Sequence, residues 1–467
     1  MAKATPKRVR LDDLLCVHPN AAGLDIGSEE IVVAVPPDRD EQPVRMFLTF
    51  TPDLHALVAW LITCGIDTVV MESTGVFWIP IYELLEQAGI TPYLVNARHV
   101  KTVPGRKSDW NDAQWLQKLH MLGLLQGSFR PDAEIRALRT LVRHRADLIQ
   151  HRAPHILHMQ QALKQMNIQL SVVIEDIMGT TGQAILRAIV SGERDPVTLA
   201  RLRHPNCRSS EETIAKALTG SWQAELLFVL QQALALFDFY TEQITCCDAQ
   251  IEAYLRAMEP RVEAEPYLPD VPGKKRNYRS RNRLSFNAQA EFVRIVGVDL
   301  VAVTGLGEAS VQTILSEIGT DMTHFPSSKH FCSWLGLAPH NDISAGKVLR
   351  SRTGKVVSRA NQAFRQAAQA VARSDSTFGA YYRSMRARRG PQQAIVATAH
   401  KIARVFYHML KHREAFRPEQ IEVYEQRRRE REIKHLQRRA NRLGYTLTMV
   451  PRQASEPTTT PSDASVA

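Results

Sequence analysis

The sequence lacks several features that mark common classes of protein. Its 467 residues contain no run of eighteen apolar residues, so we expect no membrane-spanning segment and no membrane partner. The basic N-terminal stretch has no apolar core, which argues against a secretory signal. Six cysteines are scattered without a Cys-x-x-Cys pair, so neither a disulfide framework nor a zinc site is indicated. These absences favour a protein of a reducing cytoplasm.

Positive charge, by contrast, is abundant and clustered. The formal net charge is +11. Residues 345–413 contain fifteen Lys and Arg against one acid, residues 274–283 contain six against none, and residues 427–442 contain eight against two. Clusters of this size indicate a polyanionic partner, most simply nucleic acid. A basic surface without a specific partner explains the pattern less well, because the charge is concentrated in three segments.

Hydrophobic patterning predicts an N-terminal α/β domain. The predicted elements are two strands joined by a turn at 21–36, a strand at 44–50, a helix at 54–65, a strand at 67–74, a helix at 76–89, a strand at 90–97 and a helix at 111–125. Three consecutive strands followed by alternating helices and strands match the connectivity of ribonuclease-H-like domains. A generic α/β fold fits the same order of elements.

The remainder is predicted to be mainly helical. Residues 132–166 have a helical pattern that we expect to break at Pro154. Residues 226–258 carry apolar residues at alternating spacings of four and three, which is typical of a coiled coil or a long helical hairpin. We expect this seam to join subunits, because a long exposed apolar stripe needs a partner. The predicted regions are 20–128 (α/β), 129–262 (helical, coiled coil), 263–290 (basic linker), 291–413 (mainly helical) and 414–467 (basic helix and disordered tail).

Four acidic residues occupy positions that suit a metal site. Asp25 lies inside an apolar strand and Glu72 ends another, and parallel pairing of these two strands would bring the carboxylates side by side. Asp109 and Asp112 stand three apart at the start of the next helix and therefore share one face. Converging carboxylates need cations, and oxygen ligands select Mg²⁺ or Mn²⁺. Two such ions can hold the attacking and leaving oxygens of a phosphodiester.

Each acid also has an ordinary explanation. Asp109 can be a helix cap, with Ser108 as a competing candidate, and Glu72 can be a lone acid at a strand end. Asp25 in D-I-G-S is compatible with the phosphate loop of a sugar-kinase-like ATPase. That class needs a second glycine-rich phosphate loop and an adenosine site downstream, and we find neither. The ordered set of four acids is more specific than any single one.

The second half of the chain contains two further motifs. VAVTGLGEASVQTILSEIG (301–319) resembles a helix-hairpin-helix element, in which Gly305 and Gly307 let backbone amides approach a phosphate. An ordinary glycine turn between packed helices explains this stretch equally well. Ser344 lies in a polar loop, I-S-A-G-K, with no Gly-x-Ser-x-Gly pattern around it. Chemistry alone therefore favours a turn residue over a nucleophile.

Together, GLDIGS, MESTG, KSDWNDA and WLGLAPHNDISAGK resemble one family over about residues 20–413. These are the DEDD-type bacterial insertion-sequence transposases of the insertion sequence one-hundred-and-ten family, also called bridge recombinases. The resemblance implies a domain similar to the Holliday-junction resolvase RuvC, a coiled-coil region and a C-terminal transposase domain. By the same resemblance, the metal-binding tetrad is Asp25, Glu72, Asp109 and Asp112, and Ser344 forms a covalent phosphoserine link to DNA.

The loop around Ser344 departs from the family pattern. The family often has a Ser-Gly-Gly-Lys-like loop, and this chain has Ser-Ala-Gly-Lys. Ser333 and Ser351 are therefore alternative nucleophiles if the loop is misaligned.

The resemblance also implies partners. It implies donor and target DNA, a non-coding bridge RNA, assembly of dimers into a tetramer, and a location in the bacterial cytoplasm at the nucleoid. The residues expected to contact nucleic acid are Arg106, Lys107, Lys274, Lys275, Arg276, Gly305, Gly307, Lys347, Arg350, Arg352 and Lys355.

The leading hypothesis is a recombinase that cuts and rejoins DNA through Ser344, with Mg²⁺ held by the tetrad. One alternative is a metal-dependent, structure-specific nuclease that hydrolyses DNA with water. The other is a nucleic-acid-binding scaffold, against which the four acids argue.

Overall fold

The computed structural model describes residues 14–73, 75–96, 112–262, 281–354, 356, 358–418 and 421–448. The predicted disordered tail from Pro451 and most of the predicted basic linker lie outside these residues. The chain divides into two compact units, Met1–Arg130 and Pro131–Ala467.

The first unit is a five-stranded sheet with helices on both faces. Its elements are β1 (Ala21–Ile26), β2 (Glu30–Ala34), β3 (Val44–Leu48), α1 (Thr51–Thr63), β4 (Thr68–Glu72), α2 (Trp78–Gln87), β5 (Thr91–Val95) and α3 (Asp112–Met121). The strand order is β3-β2-β1-β4-β5. The first three strands pair antiparallel, and β4 and β5 extend the sheet in parallel with β1. The predicted order of strands and helices is confirmed.

Alternation along the strands decides which face each residue occupies. Leu24 of β1 and Met71 of β4 are fully buried in one apolar cluster together with residues of α1 and α2. On the opposite face, Val70 packs with Trp115 and Leu116 of α3. The side chains of a strand alternate between the two faces of the sheet. Helices α1 and α2 therefore cover one face, and α3 covers the other.

The second unit is mainly helical. Its elements are α4 (Ala133–Gln165), α5 (Leu170–Val173), α6 (Thr180–Val190), α7 (Pro196–Ala200), α8 (Glu211–Leu218), α9 (Ala224–Ala257), α10 (Ala288–Val296), α11 (Glu308–Ile318), α12 (Ser328–Trp334), β6 (Pro339–Ser344), β7 (Lys347–Thr353), α13 (Arg359–Ala370), α14 (Thr377–Arg389), α15 (Pro391–His412) and α16 (Ile421–Arg442). A mixed α/β N-terminal sheet with a helical remainder is therefore confirmed as the fold class.

Two predictions about the long helices are wrong. Helix α4 continues through Pro154 without a break, and this proline is exposed, so water can satisfy the carbonyl that loses its partner. The apolar seam of α9 needs no second subunit to cover it, because Phe237, Ile244 and Ile251 are buried within the chain. Helices α4 and α9 have nearly equal lengths, 33 and 34 residues, and they pack against each other. An antiparallel partner in the same chain covers the stripe.

In the part of the chain that the structure describes, no helix has both the length and the apolar character needed to cross a membrane.

Candidate active site and nucleic-acid interface

Asp25 and Glu72 come together at one edge of the sheet. Strands β1 and β4 pair in parallel with Leu24 opposite Met71, so the next residues in register are Asp25 and Glu72. Asp25 is exposed and Glu72 is half-buried. The two carboxylates therefore occupy neighbouring positions where these parallel strands end, as the sequence predicted.

Gly23 brings α3 unusually close to this part of the sheet. It lies two residues before Asp25 and so faces the same side of the sheet. A Cβ atom at Gly23 would lie 2.2 Å from the carbonyl oxygen of Ala113 and 2.4 Å from the amide nitrogen of Gln117. Only a residue without a side chain allows this backbone contact, and the contact fixes the position of α3 over β1.

The direction of α3 places Asp112 at the same edge. The carbonyl of Met121, at the end of the helix, accepts hydrogen bonds from the amides of Val17 (2.8 Å) and His18 (3.0 Å), which precede β1. Helix α3 thus runs antiparallel to β1, and its first turn lies toward the end of β1 that carries Asp25. Asp112 is exposed there. Three of the four predicted ligands share one edge and one face, whereas Asp109 and its competitor Ser108 lie outside the described residues.

The chemistry of these donors fits a hard divalent cation. All three are carboxylates, the ligands that Mg²⁺ and Mn²⁺ prefer. Among the described residues, no three His, Cys, Asp or Glu side chains are close enough together to hold a metal ion. Asp25, Glu72 and Asp112 thus share an edge of the sheet, but the described residues do not by themselves form a closed metal site.

Ser344 lies on a β-hairpin and not in a loop. Strands β6 and β7 pair antiparallel, and Ser344 is the last residue of β6, opposite Lys347. Ala345 and Gly346 form the two-residue turn, with φ of 47° and 75°. Two positive φ values are typical of a type I′ turn, which suits the twist of a hairpin. The sequence prediction of a polar loop is wrong because it overlooked A-G as a hairpin turn.

The register of the hairpin sorts its side chains by chemistry. Ser344 and Lys347 form one cross-strand pair, and Asp342 and Arg350 form the next pair on the same face. Every residue from 341 to 352 is exposed. Ser344 therefore stands at the tip of a projecting ribbon, with cationic side chains on its own face.

The alternative serines have different settings. Ser351 pairs with Asn341 and lies on the face of the hairpin opposite Ser344, away from the tip. Ser333 is exposed inside helix α12.

Two protein-family models match the chain. Residues 22–168 match the DEDD_Tnp_IS110 transposase family model, and residues 297–383 match the Transposase IS116/IS110/IS902 family model. The chain belongs to the IS110 family of transposases. The matched stretches together cover half of the chain and contain Asp25, Glu72, Asp112 and Ser344. No curated protein sequence matches the chain significantly.

Membership makes this transposase a DNA recombination enzyme of an insertion sequence, with DNA as its substrate. Transposases of the DEDD type generally use a divalent metal ion.

The two glycines of the helix-hairpin-helix-like stretch differ in their surroundings. Gly305 has φ of 95°, and a Cβ there would lie 2.5 Å from a methyl carbon of Val371 and 2.8 Å from the carbonyl oxygen of Ala367. Its absent side chain therefore serves packing against α13. Gly307 precedes α11, and a Cβ there would meet no atom within 4 Å. Contact between this stretch and phosphate stays a prediction.

The remaining predicted nucleic-acid contacts divide into two groups. Lys347, Arg350 and Arg352 are exposed on strand β7 of the β6–β7 hairpin. The others lie outside the described residues: Arg106, Lys107, Lys274, Lys275, Arg276 and Lys355.

Sequence reasoning missed a buried anchor in the helical unit. Arg145 of α4 forms a buried ion pair with Asp248 of α9, and its guanidinium also donates to the carbonyls of Asn282 and Arg283, each at 3.2 Å. The amide of Ser285 donates to Asp248 at 3.1 Å. These contacts fix residues 282–285 onto the helix pair. The partners are 103 residues apart, and no motif in the sequence links them.

Proposed function

We propose that this transposase cuts and rejoins DNA strands with Ser344 as the nucleophile and with Mg²⁺, or Mn²⁺, held by Asp25, Glu72, Asp109 and Asp112. The main support for the proposal is that Asp25, Glu72 and Asp112 lie at the same edge and on the same face of the sheet. Support also comes from the strand order β3-β2-β1-β4-β5, which is the order expected of a ribonuclease-H-like, RuvC-like domain.

The reaction is a transesterification at phosphorus. The Ser344 oxygen forms a bond to phosphorus, the bond from phosphorus to the leaving DNA oxygen breaks, the hydroxyl loses its proton and the leaving oxygen gains one. A divalent ion would supply positive charge that stabilises the attacking and leaving oxygens. Lys347 and Arg350 share the hairpin face with Ser344 and hold the phosphate electrostatically. The phosphoserine preserves the ester bond, so attack by a second DNA end rejoins the strands without ATP.

We also propose that a bridge RNA guides the enzyme and that it works as a dimer of dimers. The fifteen basic residues of 345–413, against one acid, support binding of more than one nucleic-acid strand. In this assignment residues 20–128 hold the metal, residues 129–262 form the family's coiled-coil region, and residues 291–413 carry the nucleophile. Residues 263–290 link the last two regions, and residues 414–467 contribute only nonspecific affinity.

The test uses the protein with its copurifying RNA, Mg²⁺ and a duplex that carries the end of its own insertion sequence. A denaturing gel should show a protein–DNA adduct, and a peptide map of the adduct should place DNA on Ser344. Ser344→Ala should bind DNA and form no adduct, whereas Ser351→Ala, on the other face of the same hairpin, should form it normally. Asp25→Asn and Asp112→Asn should lose cutting and keep their circular dichroism spectra.

Three other outcomes would overturn parts of this proposal. An adduct on another residue would refute the role of Ser344. Nicked DNA without an adduct would show hydrolysis by water and thus a structure-specific nuclease. Intact DNA under all conditions would leave only a binding scaffold.

A further inference from the structure

The β6–β7 hairpin exposes aliphatic side chains that the described residues leave uncovered. Ile343 is 63% exposed, Val348 is 55% exposed and Leu349 is 68% exposed. A two-stranded hairpin is marginally stable by itself in water, and neighbouring exposed aliphatic residues mark interaction sites. The hairpin therefore needs a partner that covers its tip.

The aliphatic residues are placed in a specific relation to Ser344. Ile343 and Val348 form a cross-strand pair directly beside the Ser344–Lys347 pair, but on the opposite face of the ribbon. Successive strand residues are about 3.4 Å apart, which equals the rise of about 3.4 Å per nucleotide along one DNA strand. A ribbon that holds a phosphate at Ser344 thus carries an aliphatic pair one base step away along its length, on its other face.

Charge indicates what the partner is. The described part of the ribbon carries Lys347, Arg350 and Arg352, and its one acid, Asp342, stands opposite Arg350. A ribbon with cationic side chains on one face and exposed aliphatic groups on the other favours a polyanion with apolar surfaces, as stacked bases offer, over a protein surface.

We propose that the hairpin tip is a wedge for DNA: Ile343 and Val348 insert at the base step beside the scissile phosphate and unstack it, while the opposite face holds that phosphate near Ser344. The proposal rests on the proposed role of Ser344 in attacking DNA. Aliphatic side chains that partly unstack a base step are an established way to kink a duplex. Here the kink would expose the phosphorus to the serine oxygen.

The probe is a duplex of the element's own end with 2-aminopurine on either side of the cleaved phosphate, because the fluorescence of this base rises when it unstacks. The wild type with its RNA should raise the fluorescence several-fold on binding. The double variant Ile343→Thr/Val348→Thr keeps β-branched side chains, so the hairpin is retained. It should bind without the rise and cut at least tenfold more slowly. Val197→Thr, which changes an aliphatic residue 52% exposed on α7, is the matched control and should behave as wild type.

Two further measurements separate the wedge from the nucleophile. A duplex with a mismatched base step at the cleavage position should restore cutting by the double variant, since the step is already unstacked. Ser344→Ala should still raise the fluorescence, because wedging does not need the hydroxyl. If the adduct maps elsewhere but the double variant loses the rise, the nucleophile assignment fails and the wedge stands.

Other results would refute the wedge. Unchanged fluorescence and cutting in the double variant would show that the aliphatic pair does not act on DNA. A smaller assembly of this variant in light scattering would show that the pair instead docks against protein.

Discussion

A single methyl group at Gly23 tests the geometry of the candidate site most directly. In Gly23→Ala the new Cβ would lie 2.2 Å from the Ala113 carbonyl oxygen, whereas ordinary contacts begin near 3.4 Å. Both close atoms belong to the backbone of α3, so no side-chain rotation relieves the clash. The helix must retreat by about 1 Å, and such overpacking costs about 1–3 kcal/mol in the free energy of unfolding.

The displacement of α3 should also slow the cutting of DNA. Helix α3 begins with Asp112, so a shift of the helix moves this carboxylate away from Asp25 and Glu72. A misplacement of about 1 Å at a reacting group costs on the order of 100-fold in rate. We therefore expect Gly23→Ala to remain folded at 25 °C, to unfold at lower urea concentration and to cut DNA about 100-fold more slowly.

The control is Gly307→Ala. Gly307 has no atom within 4 Å of an added Cβ and has an ordinary φ of −115°, so the same change should leave the stability unaltered. Its effect on cutting tests a separate prediction, the contact of Gly307 with phosphate. Urea unfolding followed by circular dichroism and the rate of adduct formation measure the two effects. Unchanged stability and rate in Gly23→Ala would refute the close contact between β1 and α3.

Three further predictions concern stability. Phe237→Glu should destabilise the protein by at least about 3 kcal/mol because Phe237 is 2% exposed, whereas the same change at Phe239, 52% exposed on the same helix, should have little effect in urea unfolding. Asp248→Ala should cost about 3–5 kcal/mol, since it leaves the buried Arg145 guanidinium without its carboxylate; a cost below 1 kcal/mol would contradict a desolvated pair. Burial lowers the pKa of His120 to about 4, so the unfolded state binds the extra proton and stability should fall as pH drops from about 6.5 to 4; His120→Gln should flatten this part of the stability–pH curve.

The sheet was predictable because its information is local. Short apolar runs of strand length define β1 to β5, and the rules for connections then fix which strands are neighbours. The adjacency of Asp25 and Glu72 follows from that order. The contact of Gly23 with α3 does not follow, because it depends on the approach of a helix that begins 89 residues later.

The helical unit was less predictable for the same reason. The seam of α9 is visible in the sequence, but an apolar stripe does not specify whether α4 or a second subunit covers it. The hairpin at Ser344 was missed because its exposed strands lack the buried alternation that reveals a strand, leaving only the A-G turn as a signal. The sequence alone suggests that Arg145 is exposed, because nothing near it in the chain indicates its buried partner Asp248.

The turn beside Ser344 has one further consequence. Ala345 adopts a left-handed φ of 47°, a conformation that costs an alanine roughly 1 kcal/mol more than a glycine. A glycine here would visit both hands of the backbone freely and would let the end of the ribbon sample many directions. Alanine has far fewer backbone conformations available than glycine. Once the hairpin forms, the direction of the Ser344 hydroxyl is therefore more restricted. The strained turn thus restricts the orientation of the hydroxyl that we propose as the nucleophile.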